Sequence, residues 1–182
     1  MYKPSHLKAL AHKGFTLVEL LIVVIILAIL AGILVPQFGY SVDDAKLSSL
    51  DTTLANSRAA LDLFYQHHGF YPSAVTAVGA ACGPAGGTTG AGAIDTEAAF
   101  LEQLSLYTDV NGEACDFSDA DFRYGPYMKK ATMPENPITT SAATVVVTAG
   151  LLGMVGGGTT GGWRFDNKTG QFIADHTSYD DR

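Results

Sequence analysis

The stretch from Lys13 to Pro36, KGFTLVELLIVVIILAILAGILVP, restricts what this chain can become more than any other part of it. From Phe15 to Val35 its only strongly polar side chain is Glu19. At about 1.5 Å per residue a helix over this run reaches roughly 30 Å, the depth of a bilayer's hydrocarbon core. Lys3, Lys8 and Lys13 precede the run with no acid among them, and the first charges after it are Asp43 and Asp44. The positive-inside bias therefore predicts residues 1–14 in the cytoplasm and everything beyond Pro36 exported. A conventional signal peptide has a shorter apolar core with its small-residue cleavage site after it. Here the small residue, Gly14, comes before the run, so the expectation is a basic leader that is removed and an apolar helix that is kept.

Glu19 then demands a partner, because a charged carboxylate costs about 2.5–3.5 kcal/mol at the centre of a membrane helix and somewhat less near an end. On the residues alone it can snorkel to the interface or meet a cation. Lys13, Gly14, Phe15, Thr16, Leu17, Val18 and Glu19, followed by the apolar helix and Pro36, resemble the type IV pilin and type II secretion pseudopilin family. The resemblance spans about residues 8–70. It implies cleavage between Gly14 and Phe15 by a prepilin peptidase and N-methylation of the new Phe15 amine. It also implies that Glu19 neutralises that amine on a neighbouring subunit and sets the axial step of a helical homo-oligomer. The implied partners are an inner-membrane assembly platform, its ATPase motor and minor pilins or pseudopilins. The implied locations are the inner membrane for the precursor, with its head in the periplasm, and then a periplasmic pseudopilus or an extracellular pilus.

Past Pro36 the pattern becomes periodic. Leu47, Leu50, Leu54, Leu61 and Phe64 form a heptad-like stripe, interrupted by Ser57, while Lys46, Asp51, Arg58 and Asp62 take other faces. This predicts an amphipathic continuation packed on a globular head and ending at Gly69, giving one helix from about Phe15 to His68. Pro36 removes an amide donor and frees the Gly32 carbonyl, which makes residues 32–36 a weak point for a kink or local melting. The fold class expected is α+β and type IV pilin-like, a long N-terminal helix on a small antiparallel sheet. The domain boundaries expected are a cleaved leader 1–14, a transmembrane and assembly half 15–35, an amphipathic half 36–68 and a head 69–182. Within the head, residues 69–94 read as a long glycine-rich surface loop, and Asp95 or Thr96 can cap a short helix to about Tyr107 with Phe100, Leu101 and Leu104 inward. A strand is expected at 143–150, and a hairpin at WRF and QFI around DNKTG with Gly170 in its turn. MPENP (133–137) and GGWRFDNKTGQF (161–172) look similar to heads of G-type major pseudopilins.

Cys82 and Cys115 both fall on the exported side, where oxidising conditions favour a disulfide. Closing their loop stabilises the fold by roughly 3–4 kcal/mol in the chain-entropy model. Asp109, Asn111, Glu113, Asp116, Asp119 and Asp121 form an oxygen-rich cluster in which calcium can be considered. Counted from Asp109, however, positions six and twelve of an EF-hand are Ala114 and Ala120, so a solvated acidic loop is the better reading and no metal or other cofactor is assigned. GGGTTG (156–161) satisfies a dinucleotide glycine pattern but leads into a strand pattern rather than a helix. His67 and His68 point to different helix faces and are poor joint ligands, and Asn167–Lys168–Thr169 is a formal glycosylation sequon in a turn. The aromatic residues along the helix, among them Phe15, Phe38, Phe64 and Tyr71, read as packing rather than a path for charge.

No nucleophile elbow, phosphate loop, HExxH, CxxC or CxxCH occurs in the sequence, and a formal charge of −7 gives no basic footprint for nucleic acid. Loss of Lys3, Lys8 and Lys13 leaves 8 basic against 18 acidic residues, a mature charge of −10. The reading is a structural subunit rather than an enzyme. Its first form is a type II secretion pseudopilin driving export of folded proteins, and its second a type IV pilin for adhesion, twitching or DNA uptake.

Overall fold

The computed structural model describes residues 14–79, 82 and 87–182, with the side chains of 35–40 outside that description. Lys3, Lys8 and Lys13 of the expected leader and the centre of the glycine-rich stretch lie outside the described residues. The fold is α+β and type IV pilin-like, a long N-terminal helix α1 (Leu17–His68), a short helix α2 (Glu97–Ser105) and two small sheets. The chain divides into two compact units, Met1–Asp44 and Ala45–Arg182.

At 52 residues α1 far exceeds the roughly 11–12 residues of an ordinary globular helix. The backbone stays helical through Pro36, so the expected weak point does not break the element. A proline removes one hydrogen bond from the ladder, and strongly helical residues on both sides can carry the turn across it. Leu17–Leu34 has a mean hydropathy of 3.2 and none of it is buried within the chain, which makes it long and apolar enough to cross a membrane. The helix ends where the sequence predicts: Gly69 adopts a left-handed φ of +77°. Its N–H donates to the Tyr65 carbonyl at 2.8 Å, closing the last turn without the Cβ penalty of another residue.

In the second unit the periodic stripe becomes core. Leu50, Leu54, Leu61 and Phe64 are at most 1% exposed, and Ser57 holds its place in the same buried line. They pack with Phe100 and Leu104 of α2 and with Trp163, Phe165 and Phe172 of the larger sheet. Thr96, with φ −111° and ψ 154°, caps α2 by accepting from the Ala99 N–H at 3.2 Å.

The smaller sheet pairs β1 (Tyr107–Thr108) with β2 (Ala114–Cys115) antiparallel. The larger sheet has the order β3 (Thr144–Val147), β4 (Trp163–Asp166), β5 (Phe172–Ala174). β4 and β5 form the expected antiparallel hairpin, with Gly170 at φ +75° in its turn. β3 runs parallel to β4, so this sheet is mixed rather than wholly antiparallel. Residues 148–162 supply the long return that a parallel neighbour requires.

The phrases MPENP (133–137) and GGWRFDNKTGQF (161–172) meet in space. The Trp163 indole N–H donates to the Pro134 carbonyl at 2.7 Å and the Asn136 amide donates to the Gly162 carbonyl at 2.9 Å. Both side chains are fully buried, so each phrase satisfies the polar groups that the other would otherwise strand. On α1, the Arg58 guanidinium donates to the Phe172 carbonyl at 2.8 and 3.0 Å and also to the Arg182 carbonyl, tying β5 and the last residues to the helix.

Candidate processing and assembly site

Gly14, Phe15 and Thr16 lead into α1 as exposed, non-helical residues. A Cβ built on Gly14 would have nothing within 4 Å among the described residues, so these set no steric demand for glycine there. Phe15 is 72% exposed and likewise unclaimed by packing among the described residues.

Four residues on, Glu19 is not left idle. Its Oε2 accepts from the Thr16 N–H at 2.8 Å and from the Thr16 hydroxyl at 2.7 Å, while the Glu19 N–H donates to Thr16 Oγ1 at 3.2 Å. These reciprocal bonds are a capping box, in which a threonine and a glutamate three residues later satisfy each other's helix-start donors. The T-x-x-E spacing announces this in the sequence. A carboxylate that hydrocarbon would strand is thus hydrogen-bonded within one turn. It is also aimed at the backbone immediately next to the Phe15 nitrogen that cleavage after Gly14 would free.

The head's candidate residues resolve differently. Cys82 and Cys115 form a disulfide with Cα atoms 6.0 Å apart, pinning the glycine-rich stretch to β2. That stretch is less of a free loop than its composition suggests: Gly90 N–H donates to Ala114 O and Asp116 N–H to Thr88 O. Glu102 of α2 accepts from the Ala91 and Gly92 amides at 2.9 and 2.7 Å. The sulfur pair and the Asp116 carboxylate come together as a possible ligand group, but the disulfide has taken both thiolates. In the acidic cluster Asp109 Oδ1 accepts from the Asn111 and Glu113 amides, and Asp119 Oδ1 from those of Asp121 and Phe122. These carboxylates fold their own loops.

His67 and His68, expected on separate faces, converge on one hydroxyl: Tyr127 Oη lies 2.9 Å from His67 Nδ1 and 3.1 Å from His68 Nε2. Successive residues diverge by about 100° around a helix, but Tyr127 enters between the two rings at the end of α1. Burial holds His68 below the usual imidazole pKa, with the Val110 backbone opposing that shift. Burial also pushes the Tyr127 phenol up to about 12. The sequon does not present an acceptor. Asn167 is 4% exposed, and its amide donates to Ser73 O at 3.1 Å and Asp95 Oδ1 at 2.6 Å. In GGGTTG, the Gly156 and Gly157 amides donate to Asp180 and Asp175, so the chain's own carboxylates occupy the place a phosphate would need.

Residues 10–35 match the prokaryotic N-terminal methylation motif. The chain carries a prepilin N-terminus. It is similar to the type II secretion system core protein G of Pseudomonas aeruginosa, 42% identical over 62 residues that are 34% of this chain and 44% of that protein. It is similar to the type IV narrow pilus major component PilA5 of Thermus thermophilus, 48% identical over 48 residues, 26% of this chain and 41% of that one. A fimbrial protein of Neisseria meningitidis is 36% identical over 70 residues, 38% of this chain and 41% of its own length. The chain thus spans less than half the length of these curated relatives. No solved structure gives a significant match.

Beside the prepilin N-terminus, one residue that sequence reasoning missed organises the head. Gln103 of α2 is fully buried, its Oε1 accepting from Ser73 N–H at 2.6 Å and its Nε2 donating to Gly112 O at 2.8 Å and Val75 O at 3.2 Å. Its signal was positional. Ala99, Phe100, Gln103 and Leu104 share the inward face of α2, so a glutamine there must find buried partners.

Proposed function

We propose that this chain is a structural subunit of a type IV pilus-like filament, most readily a type II secretion pseudopilin. The observation that carries the proposal is the capped Thr16–Glu19 helix start beside an unclaimed Gly14–Phe15 bond, heading a membrane-length apolar segment, Leu17–Leu34, none of which is buried in the chain. A prepilin peptidase cleaves after Gly14, leader 1–14 is lost, and Phe15 is methylated. Residues 15–35 hold the precursor in the inner membrane and later form the filament core, 36–68 carry the helix out, and 69–182 form the exported head. With each mature chain at −10 and copies therefore repelling one another, burial of the apolar half drives assembly. Glu19 exchanges its bonds to Thr16 for a neighbour's Phe15 ammonium, Pro36 supplies local give, and the assembly platform and its ATPase motor supply the work.

Mass analysis of the N-terminus of native material tests this reading. The expected species begins at Phe15 and carries one methyl group. Material beginning at Met1, or material lacking the apolar helix, overturns it.

A type IV pilin is the second reading, and the likeness to pilus and fimbrial proteins supports it. The interlocked Pro134–Trp163 and Asn136–Gly162 pairs, built from phrases similar to G-type pseudopilin heads, favour the first. Neighbouring genes separate them: a secretin with further pseudopilins for one, a retraction motor for the other.

A further inference from the structure

Two surfaces of the head remain after the filament reading, and they lie on roughly opposite flanks of α1. At about 3.6 residues per turn, Arg58 and Asp62 project to one side of the buried stripe and Asn56 and Ala60 to the other. Beside Asn56 and Ala60 runs a groove of about 940 Å³ lined by half-buried Met128, the edge of the buried Met133, exposed Lys129 and Lys130, and Glu135.

The other flank carries a loop that exposes apolar side chains on a fixed backbone. Leu151, Leu152 and Val155 are 72%, 81% and 70% exposed. Four side chains nonetheless hold the loop's amides. Asp166 takes Gly150 at 2.8 Å and Gln171 takes Met154 at 3.2 Å. Asp180 takes Gly156 at 2.7 Å and Asp175 takes Gly157 at 2.5 Å. A loop anchored this way meets a partner without first losing much conformational entropy, and clustered exposed leucines mark a contact surface. The loop borders a cleft lined by Asp62, Asp180 and Asp181. The two guanidiniums there are already engaged, Arg58 by backbone carbonyls and Arg182 by Asp51 at 2.9 Å. One flank therefore presents leucines with acids, and the other a groove lined by half-buried Met128 with two exposed lysines.

We infer that the 150–156 loop of one subunit docks in the Met128–Met133 groove of a second copy of this chain. Leu151 and Leu152 seat on Met128 and the groove edge beside Met133, and Asp181 approaches Lys129 and Lys130. The inference rests on the filament reading. Because the two patches differ, the contact is heterologous and adds copies in one direction without closing, as a filament requires. Methionine suits such a groove because its flexible thioether adapts to an incoming leucine.

The test uses the full chain in its host cell. Leu152→Cys combined with Lys129→Cys is expected to give an oxidant-dependent ladder of multimers in filaments on non-reducing gels, while each single variant gives none. The native cysteines are already paired and contribute no background. Leu151→Ser with Leu152→Ser is expected to lower filament yield at least about tenfold, the scale of losing two buried leucines per contact. Leader removal and the melting temperature of the head should stay at wild-type values. Filaments at wild-type yield in the serine variant, or no ladder from filaments that do form, refute the docking and leave the filament reading standing. A wild-type chain that is never processed or polymerised overturns both. If the loop instead meets lipid, filaments that form give no ladder, and the inference is again refuted.

Discussion

The two halves of α1 have the same backbone and opposite fates. In Leu17–Leu34 no side chain is buried, although this is the most apolar stretch of the chain. In the half within Ala45–Arg182, which alternates leucines with charges, the apolar stripe is almost completely covered. Apolarity by itself therefore does not say where a side chain is buried. A stripe with polar flanks finds its partner within its own chain, whereas a uniformly apolar cylinder has no preferred face and must be covered by lipid or by other copies.

The sharpest way to break this contrast is Glu19→Ala. If the first half is completed by other copies, the variant inserts and is cleaved normally but yields almost no filament by electron microscopy or shearing assays. Filaments at wild-type abundance would show that the carboxylate serves only its own capping box. Next comes a matched pair of truncations in full chain held in detergent. Phe64→Ala, at the fully buried end of the stripe, should cost the head about 3–5 kcal/mol. Leu27→Ala, 58% exposed in the first half, should shift the same melt by no more than about 0.5 kcal/mol. Equal shifts would mean the halves are not energetically separate.

Reduction of Cys82–Cys115 ranks third, lowering head stability by about 3–4 kcal/mol in denaturant titrations while leaving membrane insertion untouched. The smallest effect is pH dependence confined to the second half. Burial depresses the His68 pKa, so the unfolded chain takes up that proton first and the head loses stability as pH falls below 6.5. The Tyr127 phenol is raised to about 12, so the unfolded chain releases that proton first and stability falls again as pH climbs above 10.0. His68→Gln should flatten the acid limb and Tyr127→Phe the alkaline one.

Local signals were legible where one residue type does one job. Gly69 and Gly170 stand at the positive-φ positions the sequence reserves for them, and the stripe from Leu50 to Phe64 is core as its spacing says. Thr96 caps α2, and the β4–β5 hairpin closes around DNKTG. Signals failed where a residue's role depends on a partner distant in sequence. β1 and β2 are two residues each and carry no periodicity of their own. The parallel placement of β3 depends on how the 148–162 return crosses the sheet. Asn167 reads as a surface sequon until Ser73 and Asp95 are found on its amide.

The candidate assembly site falls between these cases. Gly14, Phe15 and Glu19 were visible as a pattern, but that Thr16 already holds the carboxylate is a matter of side-chain geometry.

What the sequence determined unaided is the membrane-length helix, the polarity of its flanks, its stop at Gly69 and the stripe that needs a core, because hydrophobic periodicity and glycine stereochemistry act over a few residues. Only the tertiary structure decided which polar groups are spent internally: Gln103, Asp109, Asn167 and the His67–His68–Tyr127 cluster. Only it set a leucine-bearing loop and a lysine-walled groove on opposite sides of the helix. A buried donor must find its acceptor wherever the chain brings one, and that pairing is a property of three-dimensional proximity that no local pattern encodes.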